Sequence, residues 1–106
     1  MKLMYAIAFD FDTEKLKNNY PGPSYTNAYG EVRKFLAEKG FSHQQGSLYY
    51  GDVKVTQVSA MIAVLEMSEE LGYLRDSVAD IRILQLLNAD DLMPIVIKGH
   101  KEVLAV

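Results

Sequence analysis

The chain has 106 residues, 49% of them apolar and 24% charged, which is enough for one domain with a modest core and too short for two. It contains no Cys, which excludes a disulfide framework, a thiolate metal site and a cysteine nucleophile. Its net charge of −3 argues against a simple polyanion binder, but residues 1–54 hold seven Lys and Arg against six Asp and Glu, so a neutral-to-basic N-terminal face is compatible with it.

No apolar run approaches the roughly 18 residues of a membrane span. The short run after Met1-Lys2 meets Asp10, Asp12 and Glu14 with no small-residue cleavage pattern, unlike an export signal. A single cytoplasmic domain over 1–106, with no membrane partner, is the expectation.

Leu3 to Asp10 is nearly all apolar, as a central strand should be. Thr13 to Tyr20 reads as a short helix with Thr13 as its N-cap, stopped by Pro21-Gly22-Pro23. Ser24 is expected to cap a second helix whose core face is Tyr25, Ala28, Tyr29, Val32, Phe35 and Leu36, with Gly40 as its stop. Phe41 to Tyr50, with Gln45-Gly46 in the middle, reads as a hairpin or a bulged strand, the hairpin being preferred. Val55, Val58, Met61, Ile62 and Leu65 mark the buried face of a further helix, and Ser68-Glu69-Glu70 opens a shorter one. Met61, Met67 and Met93 read as core fillers. Ser77 to Leu87 is a strand returning to the core, and Asn88 to Asp91 signals a last short helix ending at Lys98, before Gly99.

The order is strand, helix, two strands, helix, strand. It predicts an α+β, ferredoxin-like βαββαβ fold: a four-stranded antiparallel sheet with two helices on one face and a short C-terminal helix. The other sheet face then needs a cover, such as a second copy or RNA.

Asp10 is the most informative polar residue, a carboxylate closing an apolar strand at the rim of the sheet. There it could transfer protons, or hold a divalent cation with its counterpart across a dimer axis; the plain alternative is a turn former. Ser47, in Gln45-Gly46-Ser47, has a hydroxyl that could meet a phosphate or satisfy its own turn. Asp80 and Arg82 are two apart on a strand and share a face, so Arg82 could bind a phosphate that Asp80 helps to orient, or the two could form a structural ion pair. Lys15, Lys17, Arg33 and Lys34 add positive charge near the first strand's exit and on the second helix; Lys17 is the candidate substrate contact among them. His43 and His100 have no zinc-ligand spacing and read as surface or packing residues.

Taken together, Met4 to Asp10, Tyr25 with Ala28-Tyr29, Gly40-Phe41, Gln45-Gly46-Ser47-Leu48-Tyr49 and Ser77 to Arg82 resemble, in order and spacing over about residues 4–98, the virulence-associated protein D (VapD) family. The resemblance implies a homodimeric bacterial endoribonuclease, an mRNA interferase-like toxin of toxin–antitoxin type with a small antitoxin partner. Its fold is similar to that of small CRISPR-associated nucleases. It implies roles for Asp10, Ser47 and Asp80 as catalytic residues and for Leu16 as a substrate-contacting position. The chain departs from the family in Ala79, where an Arg is usual, in Pro21-Gly22-Pro23, and in lacking an aromatic-rich stretch after Met67.

Two reactions on single-stranded RNA fit these residues. In one, Asp10 or Asp80 deprotonates a 2′-hydroxyl while Arg82 and Ser47 stabilise charge, with no obligatory cofactor. In the other, Asp10 is the ligand of a Mg²⁺ that activates water. The competing class is a non-catalytic RNA-binding or nuclease-partner scaffold, although Ser47 to Gly51 lacks the Lys/Arg-Gly opening of an RNA recognition motif.

Overall fold

A computed structural model describes residues 3–87 and 91–98. It contains β1 (Met4–Phe11), α1 (Thr13–Asn19), α2 (Asn27–Glu38), β2 (Phe41–Gln45), β3 (Leu48–Gly51), α3 (Gln57–Glu70), β4 (Val78–Leu86) and α4 (Met93–Lys98). The four strands form one antiparallel sheet in the order β2-β3-β1-β4, which is the ferredoxin-like arrangement. The apolar run of β1 therefore occupies a central position, as its composition predicts.

Alternation along β1 separates two faces. Ile7 and Phe9 are buried with Val32, Phe35 and Leu36 of α2 and Ala60, Ala63 and Met67 of α3. Ala6, Ala8 and Asp10 point the other way, opposite Leu84, Arg82 and Asp80 of β4. That second face carries no helix from α2 or α3. A cleft between it and α4 is lined by Met4, Leu48, Tyr50, Leu92 and Val96.

The hairpin forms as expected, with Gly46 at φ +53° in its turn and a register shift between His43 and Gln45. Gly40 ends α2 at φ +93°, where a β-carbon would also approach the Asp52 carboxylate at 3.0 Å. Several expected details differ. Asp12, not Thr13, caps α1, its side chain accepting from the Lys15 amide, so that Thr13 is already the first helical residue although β1 runs on to Phe11. Ser24 lies in the turn before α2 and its hydroxyl meets that of Thr26, the residue at the N-cap position, which makes no side-chain cap bond.

The largest departure is in α3. Its buried residues are Ala60, Ala63 and Met67, while Val58, Met61, Ile62 and Leu65 are half or more exposed. This helix is apolar around most of its circumference, so spacing alone admits more than one inward face. Packing selects the small residues, which let the helix approach the sheet. Of the three Met that read as core fillers only Met67 is buried; Met61 and Met93 are exposed. Ser68-Glu69-Glu70 ends α3 and opens no separate helix, and Thr56 and Ser59 cap its start reciprocally. Asp91 Oδ1 accepts from the Met93 amide as α4 begins; Asn88 to Asp90, Gly99 and His100 lie outside the described residues.

A second buried cluster joins Leu16, Ala28 and Tyr73 beneath α1. Above it the Glu31 carboxylate accepts from the hydroxyls of Tyr20 (2.8 Å) and Tyr73, tying α2 to the end of α1 and to the α3–β4 loop. Burial first, then the Glu31 bond, pushes the Tyr73 hydroxyl well above the ordinary tyrosine range; the Glu31 bond also raises that of Tyr20. Above about pH 10 the unfolded chain releases these protons while the folded chain keeps them, so the stability they confer is complete below that pH and lost above it. Urea melts taken from neutral pH to about pH 11 should therefore show a fall confined to the alkaline side of pH 10. Tyr73→Phe should lose about 1 kcal/mol at neutral pH and show a shallower alkaline fall. An unchanged alkaline slope would remove Tyr73 as its source.

Candidate active site

β1 delivers Asp10 to the end of the sheet, where it stands directly opposite Asp80 of β4. Side chains so paired have β-carbons about 5 Å apart, and two like charges there destabilise the ladder. The Arg82 Nε–H donates to both Asp80 oxygens at 3.1 and 3.0 Å, relieving part of that repulsion. The shared face read from the i, i+2 spacing is thus realised as an ion pair. Asp10 is exposed and makes no ion pair among the described residues, so it is the free carboxylate of the two.

The register of β1 against β4 shifts between Asp10 and Phe11, so that Phe11 pairs with Val78 and Ala79 is the extra residue of a bulge. Ala79 is exposed beside Asp80.

Ser47 reaches the same strand end from the other side. The Phe9 amide donates to the Ser47 carbonyl at 2.8 Å, one step beyond the paired residues Ala8 and Leu48. The His43 Nε2–H donates to the Gly46 carbonyl at 2.7 Å, bracing the turn, and the His43 ring lies 4.9 Å from that of Tyr49. Gly46 and Ser47 share with Asp10 a cleft of about 430 Å³ whose floor is the buried Phe9, Val32 and Tyr49. Phe11 and Tyr29 form its remaining wall. Burial raises the Tyr49 hydroxyl's pKa, and the Arg33 guanidinium nearby opposes the shift.

The structure therefore brings Asp10, Ser47, Asp80 and Arg82 to one end of the sheet, and leaves two other candidates apart. Leu16 is fully buried in the α1 cluster, where it anchors the helix and offers no surface to a substrate. Lys17 is on the exposed side of α1, 3.5 Å from Glu14 and 5.4 Å over the Tyr25 ring, and does not line the cleft. Tyr29 belongs to the cleft although its helical spacing assigns it to the core.

Among the described residues no group of three or more His, Asp or Glu gathers as a metal site. With Asp80 tied to Arg82, Asp10 is left as one free carboxylate. That suits Mg²⁺ held chiefly by water and a substrate phosphate better than an all-protein cage.

The fold and site together define a ferredoxin-like domain with paired acids, a cation and a serine turn converging on the end of its central strand. No family model matches the chain. It is 37% identical over 91 residues to Endoribonuclease VapD 2 of Riemerella anatipestifer, covering 86% of this chain and 97% of that protein. It is 35% identical over 91 residues to the Endoribonuclease VapD homolog of Helicobacter pylori, covering 86% and 94%. With Endoribonuclease VapD of Dichelobacter nodosus it shares 37% identity over 94 residues, covering 88% and 97%. The chain belongs to the VapD family.

The Arg82–Asp80 pair is exposed on both sides, so it contributes about 0–1 kcal/mol and Arg82 can be released to a phosphate at little cost. Arg82→Ala should leave the melting temperature nearly unchanged. It should weaken RNA binding, lowering the slope of log K against log salt by about 0.7 for a single strand. An unchanged salt slope together with a lower melting temperature would make the pair purely structural.

Proposed function

We propose that the chain is an endoribonuclease cutting single-stranded RNA, an mRNA interferase-like toxin controlled by a small antitoxin protein. The observation that carries the nuclease reading is the unpaired Asp10, held beside Arg82 and the Ser47 turn. The relatives' names support RNA as the substrate. The toxin role and the antitoxin extend the same family likeness.

Asp10, free of Arg82, is the general base that takes the proton from a ribose 2′-hydroxyl. The 2′-oxygen attacks the adjacent phosphorus, the bond to the 5′-oxygen of the next nucleotide breaks, that oxygen takes a proton from water to become a 5′-hydroxyl, and a 2′,3′-cyclic phosphate remains. Arg82, swung from Asp80, neutralises the phosphorane oxygens, and Ser47 donates a hydrogen bond to them. A divalent ion such as Mg²⁺ would be held by Asp10 and would supply Lewis acidity and a more acidic water.

The working unit is a homodimer joined through the sheet face opposite α2 and α3. The apolar rows at Met4, Leu48, Tyr50, Leu84 and Leu86 support this choice, since that face would otherwise leave partly buried apolar surface to water. Light scattering at micromolar concentration should give about twice 11.9 kDa. A monomer would overturn the dimer.

Asp10→Asn keeps the side chain's size and removes its charge, so the variant should fold and melt as the parent does, while cleavage of labelled RNA falls about 10²–10⁴-fold. Cleavage that survives EDTA and leaves a cyclic phosphate selects the metal-free route. Wild-type cleavage by Asp10→Asn would remove Asp10 from the chemistry. If the parent protein binds RNA but never cuts it, with or without Mg²⁺, the scaffold reading replaces the enzyme.

A further inference from the structure

Resting on the single-stranded RNA reading above, we propose that the cleft beside Asp10 receives one unpaired nucleobase, stacked on the ring of Tyr29. Tyr29 is 44% exposed on the first turn of α2, a large aromatic left in solvent next to the free carboxylate. Its ring meets Phe11 edge-on at 5.2 Å and 85°, and Phe11 meets Phe9 edge-on at 4.7 Å and 87°. This ladder of rings fixes Tyr29 before any ligand arrives, so little side-chain freedom remains to be lost on stacking.

The chemistry of the cleft selects a neutral planar group over a phosphate. Its floor and walls are apolar or aromatic, its polar lining is Asp10 and the Gly46-Ser47 turn, and no Lys or Arg lines it. An anion entering would find no Lys or Arg among the lining residues to compensate it; a base presents two apolar faces and a hydrogen-bonding edge. Arg82, the phosphate's cation, lies with the Asp10 side chain on the opposite face of the sheet. Base and phosphate are thus separated by the end of β1, as they are in a nucleotide whose base has left the stack. A duplex, whose bases are paired and stacked, cannot supply that group without unpairing.

The test uses a short 2′-O-methyl RNA carrying 2-aminopurine, which is not cut and whose fluorescence falls when the base stacks on an aromatic ring. The parent protein should quench it, Tyr29→Phe should quench it equally, and Tyr29→Leu should abolish quenching and weaken binding roughly 5- to 100-fold. In cleavage of unmodified RNA, Tyr29→Leu should show that loss mainly in KM. Parent protein that binds the probe without quenching it overturns the base cleft, whatever its nuclease activity. Equal quenching by Tyr29→Leu and the parent does the same. Quenching by a parent protein that cuts no RNA would overturn the endoribonuclease reading and leave the base cleft standing.

Discussion

The register of β1 against its neighbours is the constraint on which the site depends. Along this strand Ile7 and Phe9 enter the core while Ala6, Ala8 and Asp10 take the opposite face. A slip of one residue would drive the Asp10 carboxylate against Val32 and Leu36 and put Phe9 in water. Burying an unpaired carboxylate costs several kcal/mol, so the slipped alternative is strongly excluded. The same exclusion places Asp10 opposite Asp80, because the core side of β4, Ile81 and Ile83, must meet Phe9 and Ile7. The repulsion between the two acids is a consequence of hydrophobic register, tolerated because it falls at the exposed end of the ladder.

The end of β1 is held in place by the segment directly after it. The Asp12 amide donates to the Ser77 carbonyl at 2.8 Å, and the Asn19 side-chain amide donates to the Asp76 carbonyl at 3.2 Å. Leu16 is buried beneath, and Tyr20 and Tyr73 share the Glu31 carboxylate. α1 is therefore a strap between the exit of β1 and the entry of β4, the two segments that carry Asp10 and Asp80. The position of Leu16 gives it a route to influence the acids through the strap, with no contact to substrate.

β1, α2, the hairpin and β4 are legible in the sequence because each carries one dominant signal: an unbroken apolar run, a three/four spacing closed by Gly40, a Gly-centred turn, an apolar strand entered by Asp80. The face of α3 is not, because Val58, Met61, Ile62 and Leu65 outweigh Ala60 and Ala63 on any hydrophobicity scale, whereas close packing on a sheet favours the small residues. Tyr29 reads as core for a related reason. It shares a helical face with Val32 and Leu36, but on the first turn it meets Phe11 edge-on and is left 44% exposed. Its neighbour in the cleft, Ser47, comes from a distant hairpin turn, which the pairing of β3 with β1 and the Phe9–Ser47 hydrogen bond bring to the same strand end.

The end of β1 separates two kinds of environment within the span of one residue. Phe9 and Phe11 face an aromatic cleft that no Lys or Arg lines, while Asp10 between them meets a charged ladder end with Arg82 close by. A strand is the one element that can do this, since successive side chains leave on opposite sides. A helix would need three or four residues to turn from one environment to the other. A flexible nucleotide placed across such an edge has its base and its phosphate sorted by polarity, and the ribose that links them is left at the carboxylate. In the reading proposed above, the alternation that folds the sheet also sets the sugar, the part of RNA that carries the 2′-hydroxyl, beside Asp10.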